Sequence, residues 1–347
     1  MAASKLVVRF DLWIDPAFDA GLARDPEISL RVAAVRGARE DAWALLREAR
    51  VYHVSPARNE LPAHWLADEP LLRQCPGLLC VSSGGAGHDT VDVQACTRAG
   101  VVVVNQAGGN AAAVAEHALG LMIAVSRRIA ESDRKLRGLR GFSRESVMGH
   151  EIGGKVLGLV GIGHAGTRTA ALARAFGMQV LAFDPLLSTA QVEARGARAV
   201  DFSTLLRVSD IVSLHCPRDA ATQGMFDAAA FAAMKPGALF ISTARGGIHD
   251  EGALHAALAG GHLAGAGLDV WEPEPPPLDH PLLALDNVVA TFHTAGVTHE
   301  GRRNVAAMGA EQIVDLLNGG RPARLVNPEV WPLYARRYRD TYGRAPD

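Results

Sequence analysis

The chain has 347 residues, 48% of them hydrophobic and 21% charged, with a formal net charge of −2. That length suits about two globular domains with a sizeable core, which excludes a disordered chain or a small disulfide scaffold. The near-neutral balance, with no long lysine or arginine run, argues against a nucleic-acid or lipid-headgroup surface; Arg336, Arg337 and Arg339 read as a solvated face.

In chain order, residues 6–10 read as a first strand. The residues before it lack the apolar core of a signal peptide, and no window approaches roughly 18 uninterrupted apolar residues, so a cytoplasmic protein is expected. A helix is expected over 39–50, with Ala42, Leu45 and Leu46 on its apolar side. Residues 51–54 form a second strand, 64–68 and 70–74 short helical pieces, and 78–82 a third strand. The glycine-rich loop SSGGAGHDTVD follows at the carboxyl end of that strand, where open α/β sheets hold ligands. A helix over 91–99 and a strand over 100–105 complete a small βα domain. GGNAAAV then reads as a hinge into a long alanine- and leucine-rich helix over 110–128.

The central stretch is 155–184. Residues 156–160 have the continuous apolar character of a parallel strand buried on both faces. Gly161, Gly163 and Gly166 follow as G-x-G-x-x-G, one for a tight turn, one for close approach to a pyrophosphate, one for helix packing on strand. A helix over 165–176 points its free amides at that phosphate. The next strand, 179–183, ends at Asp184, where a carboxylate accepts from both ribose hydroxyls and repels a 2′-phosphate; NAD is expected over NADP. Further strands are expected at 199–200, 211–214, 239–242, 265–268 and 288–290, alternating with helical spacers, which is the doubly wound pattern. A helix over 298–317 should return to the first domain. The tail 331–347 shows no clear period and is expected at the surface or in a subunit contact. The expected fold is therefore α/β, with two Rossmann-like doubly wound parallel-sheet domains: a discontinuous flavodoxin-like substrate domain (1–108 with 298–347) and a dinucleotide-binding domain (109–297).

Later strands end in polar residues: His215, Cys216 and Pro217 after one, Thr243, Ala244 and Arg245 after another, then Asp269 with Glu274, then His293. Strand ends of a doubly wound sheet converge, so an arginine, an acid and a histidine there suffice for hydride transfer to a keto acid. The guanidinium forks a carboxylate, the imidazole moves the proton, and the carboxylate orients the ring. The plain alternatives are a structural histidine and a solvated loop acid; Arg245, followed by Gly246 and Gly247, fits a surface role less well. The four cysteines lack C-x-x-C spacing and read as reduced thiols, and the 13 histidines include no H-E-x-x-H, so no metal is expected.

GGAGHDTVD, VVVNQAGGNAAAVAEHALGLMIA, KVLGLVGIGHAG, VSLHCP, FAAMKPGALFISTARGG, GAGLDVWEPEP and NVVATFHTAGVTHE occur in one order over about two thirds of the chain. In these stretches the sequence resembles the D-isomer-specific 2-hydroxyacid dehydrogenases, among them phosphoglycerate dehydrogenases and glyoxylate/hydroxypyruvate reductases. The resemblance implies NAD as cofactor, a small 2-keto or D-2-hydroxy acid as substrate, and a homodimer formed through the region 110–128. It implies Arg245 as substrate anchor, His293 as acid/base and Glu274 as its partner. His164, Ala165 and Asp184 would hold pyrophosphate and ribose; Thr243, Ala244, Arg245, Asp269, His293, Ala295 and Gly296 would line the nicotinamide end. Gly85, Ala86 and Gly87 would offer amides to the substrate carboxylate, in a cleft closed by bending near Gly108, Gly109 and Gly296. Phe292 stands where the family usually has proline, Ser242 where it often has asparagine, and Gln106-Ala107 where it often has Thr-Pro. The rivals are phosphite- or phosphonate-type oxidation on the same residues, and a corepressor-like protein that only senses the dinucleotide. Trp13, His53, Ser82, Ser83 and the Trp331 tail are unranked candidates for the substrate side-chain pocket.

Overall fold

The computed structural model describes residues 4–347; the expectation about a leader rests partly on residues 1–3, outside the described residues. The chain divides into two compact units, Met1–Asn110 with His299–Asp347, and Ala111–Thr298. Among the described residues no helix is long and apolar enough to cross a membrane.

The first unit begins β1 (Lys5–Phe10), α1 (Ala17–Leu22), β2 (Ile28–Ala33), α2 (Arg39–Glu48), β3 (Val51–Val54), α3 (Glu69–Gln74), β4 (Cys80–Ser83), α4 (Val93–Ala99) and β5 (Val102–Val104). Its five strands pair in parallel in the order β2-β1-β3-β4-β5, the flavodoxin-like order. β2 is absent from the sequence reading. It is an edge strand and mostly half-exposed, so it lacks the solid apolar run that marked its neighbours, although I-S-L-R-V does alternate with period two. Successive residues of β1 serve opposite faces: Val8 joins Phe10, Tyr52, Trp65 and Leu71, while Val7 joins Phe18, Leu22 and Val51.

The second unit runs α5 (Ala111–Ser126), α6 (Ile129–Gly138), β6 (Val156–Val160), α7 (His164–Ala175), β7 (Gln179–Phe183), α8 (Thr189–Ala194), β8 (Arg198–Ala199), α9 (Phe202–Val208), β9 (Ile211–Leu214), α10 (Ala228–Ala233), β10 (Leu239–Ser242), α11 (Glu251–Ala259), β11 (Gly265–Leu268) and β12 (Val288–Ala290). All seven strands are parallel, in the order β12-β11-β10-β9-β6-β7-β8, so every strand ends at the same edge. Asp201, Asp227 and Asp250 accept the amide three residues on and start α9, α10 and α11. The helix expected over 110–128 stops at Ser126, because Arg128 takes a left-handed φ of 52° and forks Glu131 at 2.7 Å twice; α6, unforeseen, starts there.

The chain returns to the first unit with α12 (His299–Leu317), which packs on α1, and α13 (Trp331–Tyr342). The tail, expected at the surface or in a subunit contact, is largely helical and sets one face into the core of the first unit. Tyr334 and Tyr338 are fully buried, and their hydroxyls donate to the carbonyls of Leu316 and Leu317 at 3.1 and 3.2 Å. Trp331, Tyr334, Tyr338 and Tyr342 recur at three and four residues, a helical face hidden by the polar residues between them. Arg337 is correspondingly half-buried, donating to the carbonyls of Ala99 and Pro76, whereas Arg336 and Arg339 are solvated as expected.

Candidate active site

The glycine turn sits between β6 and α7, and its three glycines meet three different surroundings. Gly161 has φ 89°, and a Cβ on it would stand 2.8 Å from the Cys216 amide nitrogen. A Cβ on Gly166 would stand 2.4 Å from the carbonyl oxygen of Gly161, so only glycine lets α7 pack this closely. Gly163, by contrast, has nothing within 4 Å of such an atom. Two glycines close the turn and the third leaves bare backbone at the amino end of a 12-residue helix, which fits a dinucleotide pyrophosphate. His164 is exposed and Ala165 half-buried in the first turn of that helix. Asp184 is held against the turn: its Oδ2 accepts the Ile162 amide at 3.0 Å and its Oδ1 the Leu186 amide at 3.1 Å. Arg195, which the sequence reading passed over, donates to the Ile162 carbonyl at 2.7 Å.

At the end of β9, His215 Nε2 pairs with the Ser213 hydroxyl at 3.0 Å, and burial lowers its pKa to about 4, so it stays neutral. Burial pushes the neighbouring Cys216 thiol up to about 11, which makes it inert; Pro217 is exposed. At the end of β10, Thr243 and Ala244 are buried, the Thr243 hydroxyl without a protein partner, and Arg245 is half-buried with Nη1 donating to the Ala244 carbonyl at 2.7 Å. The glycine after it serves packing: a Cβ on Gly246 would lie 2.0 Å from the Trp271 carbonyl oxygen.

Beyond β11 and β12 the remaining groups meet. His293 Nδ1 lies 2.9 Å from Glu274 Oε2, and Glu274 Oε1 accepts the Trp271 amide at 3.1 Å. Burial works to raise the Glu274 pKa, but the hydrogen bond and charge of His293, the Trp271 amide and the charge of Arg245 outweigh it, leaving the carboxyl below its ordinary range. Arg245, Glu274 and His293 are thus one electrostatic cluster at the carboxyl edge of one sheet. Asp269 is fully buried, its carboxylate accepting from the Thr291 hydroxyl and the amides of Thr294 and Ala295; Gly296 follows, half-buried. Two members of this network, His117 and Thr291, were missed: in sequence they are a helix histidine and a strand-end threonine with nothing to link them. A larger cavity of about 410 Å³ opens at the opposite, amino-terminal edge of this sheet, near Lys155, Asp210 and Lys235.

In the first unit, the loop after β4 turns its carbonyls inward. Gly85 accepts from the Gln106 amide at 2.8 Å, Ala86 from the Asn105 side chain at 2.8 Å, and Gly87 from the Ser83 hydroxyl at 2.5 Å. The amides are then the groups this loop can present. Ser82 is committed to His53, 3.1 Å away, so both serines act in support. Trp13 and His53 line a small cavity of about 50 Å³ with Arg9, Glu60, Gly84 and Arg302. Trp331 belongs elsewhere, stacked 4.8 Å from Tyr334.

One parallel sheet thus carries a glycine cradle with an acid beside it, and an arginine, a carboxylate and a histidine at the same edge. Residues 119–295 match the family model of the D-isomer specific 2-hydroxyacid dehydrogenase, NAD binding domain, and the chain belongs to that family. It is 40% identical over 289 residues to a D-3-phosphoglycerate dehydrogenase of Archaeoglobus fulgidus, covering 83% of this chain and 54% of that protein. It is 37% identical over 266 residues to a glyoxylate reductase of Korarchaeum cryptofilum, covering 76% of this chain and 80% of that one. Among solved structures, a glyoxylate reductase from Paecilomyes thermophila superimposes with a TM-score of 0.83 at 27% identity, over 94% of this chain and 99% of the other. The chain spans about half the length of the phosphoglycerate dehydrogenases it matches.

Proposed function

We propose that this chain is an NAD-dependent dehydrogenase that interconverts a small 2-keto acid and its D-2-hydroxy acid. The observation that carries the reading is the 2.9 Å pair of His293 and Glu274 in the field of Arg245, at the sheet edge that bears the glycine cradle. When bound, the nicotinamide supplies or accepts the hydride at C2 of the substrate. Arg245 forks the substrate carboxylate and polarises the keto oxygen. His293, with Nδ1 committed to Glu274, has Nε2 left to give a proton to that oxygen during reduction and take it back during oxidation. Glu274, whose carboxyl lies below its ordinary range, accepts from Nδ1 and fixes the orientation of the ring.

Gly161, Gly163 and Gly166 with the amino end of α7 are the pyrophosphate site in this reading, and Asp184 takes the adenosine ribose and selects NAD. Within the first unit, the amides of Gly85, Ala86 and Gly87 are the groups suited to a carboxylate, since the carbonyls of that loop are already bonded. A homodimer formed around α5 and α6 is supported by the apolar side chains that Ile129, Leu136, Leu139 and Met148 expose. The test is oxidation of NADH against glyoxylate, hydroxypyruvate, pyruvate, phenylpyruvate and 3-phosphohydroxypyruvate. Turnover of at least one is expected; none on any would sink the reading.

A further inference from the structure

Phe292, next to His293, is 50% exposed and so packs little against the protein. One residue of the neighbouring strand end holds the His293 backbone. Asp269 accepts the His293 amide on its backbone carbonyl at 2.7 Å, and the amides of Thr294 and Ala295 on its two carboxylate oxygens at 2.9 Å each. Three successive amides are thereby clamped to one residue. Within the clamp His293 sits at φ 48°, the left-handed region, which costs a non-glycine residue about 1 kcal/mol or more.

Two further side chains complete the clamp. The Thr291 hydroxyl lies 2.6 Å from Asp269 Oδ1, and His117 Nε2, reaching across from α5, lies 3.0 Å from that hydroxyl and 3.6 Å from Oδ1. The Thr291 hydroxyl has one proton, which it donates to Asp269 Oδ1, so His117 Nε2 is the donor to Thr291. The shorter of the two contacts open to the Thr291 hydroxyl, 2.6 Å to Asp269 against 3.5 Å to the Leu268 carbonyl, gives the order His117 to Thr291 to Asp269. Trp271 Nε1 donates to the Thr291 carbonyl at 2.9 Å and the Thr291 amide to the Leu268 carbonyl at 2.8 Å, so the residue is gripped from both sides.

We infer that His117, Thr291 and Asp269 form a positioning chain that imposes the strained backbone of His293 and so aims its imidazole at Glu274. The inference rests on the reading of His293 as the acid/base, and it assigns His117 and Thr291 no contact with substrate. Because the chain acts through hydrogen-bond geometry, a substitution that keeps the shape of Thr291 and deletes its hydroxyl should release the histidine, and one that keeps the hydroxyl should not.

The test compares Thr291→Val, Thr291→Ser and His117→Leu in the full chain with two readouts. The first is the imidazole nitrogen shifts of His293 in histidine-labelled protein, assigned with His293→Gln. The carboxylate-bonded Nδ1 signature is expected to be lost in Thr291→Val, weakened in His117→Leu and retained in Thr291→Ser. The second is turnover of whichever keto acid the panel selects: kcat about tenfold to a hundredfold lower in Thr291→Val with the KM for NADH unchanged, and close to wild type in Thr291→Ser. The double variant His117→Leu/Thr291→Val should be no slower than Thr291→Val alone, because the two act through one chain. Wild-type shifts and kcat in Thr291→Val, equal losses in the serine variant, or additive losses in the double variant would each overturn the inference. Should Thr291→Val fail to fold, His117→Leu decides, its histidine side chain being 25% exposed: unchanged His293 shifts there overturn the proposal. If the wild type reduces no keto acid, the functional reading fails while the nitrogen shifts still decide the positioning.

Discussion

Glu274 holds His293 with one carboxylate oxygen, at 2.9 Å from Nδ1, and is itself held through the other by the Trp271 amide at 3.1 Å. The acid is thus fixed at both ends and keeps its charge. Glu274→Gln preserves the shape and removes that charge, so the protonated imidazole loses its stabilising partner. On the reading of His293 as the proton donor, kcat for reduction should fall about tenfold or more. Steady-state kinetics of NADH-dependent reduction check this, and a wild-type kcat in the glutamine variant would contradict it. His293→Gln should lower kcat by orders of magnitude while NADH binding, followed by fluorescence, stays near wild type.

Arg245 provides a planar fork that lysine cannot copy. For Arg245→Lys the expected result is a higher substrate KM together with a lower kcat, since both ground-state grip and carbonyl polarisation are reduced. Steady-state kinetics with the preferred keto acid measure the two separately; a change in cofactor KM alone would point to a different role.

Gly246 tests the same loop through its backbone. A Cβ there would lie 2.0 Å from the Trp271 carbonyl oxygen, so Gly246→Ala must push Arg245 and the segment carrying Glu274 apart. A lower melting temperature and a loss of about tenfold or more in kcat/KM are expected together. Unaltered kinetics would mean that the two loops are not coupled.

Asp184 sets the cofactor expectation. On the proposal that Asp184 repels a 2′-phosphate, Asp184→Ala removes that repulsion while Arg195 remains bonded to the Ile162 carbonyl beside the glycine turn. The ratio of kcat/KM for NADH over NADPH should drop by about tenfold or more, equivalent to roughly 1.4 kcal/mol of discrimination. An unchanged ratio would show that another residue makes the choice.

His249 lies buried with neither ring nitrogen bonded to protein, 5.3 Å from the Phe240 ring, and burial lowers its pKa to about 4. Burial likewise lowers His53 to about 3 and His215 to about 4. Each is neutral when folded and gains a proton near pH 6.5 when unfolded. Their stability contribution is therefore complete above about 6.5 and is lost as pH falls from there towards 4, at roughly 1.4 kcal/mol per unit for each histidine. His249→Leu should remove one such term. Thermal melts at pH 7.5 and 5.5 should show a smaller acid-induced drop than in wild type, and an equal drop would contradict the assignment.

Five strands of the second sheet, β6, β7, β9, β10 and β11, are mostly apolar runs whose bounds could be read directly, because a parallel strand buried on both faces carries few polar residues. The glycine turn and the acid after β7 were legible for the same reason: each residue type answers a local backbone demand. Edge strand β2 and helix α13 escaped because polar residues interrupt their apolar positions, and the tyrosines of α13 count as core only once α12 lies beneath them.

What the residues alone determined, then, are the features that depend on neighbours a few positions away: strand cores and the glycine turn, with Arg245, Glu274 and His293 singled out as candidates. Only the tertiary structure decided the partnerships. Glu274 meets His293 across 19 positions, and His117 meets Thr291 across 174, by way of separate strands and a helix. A hydrogen bond is set by distances in space, and no local pattern of residue types encodes which distant side chain will arrive at 3 Å. The sheet's parallel register brings those distant ends to one edge and thereby makes the site.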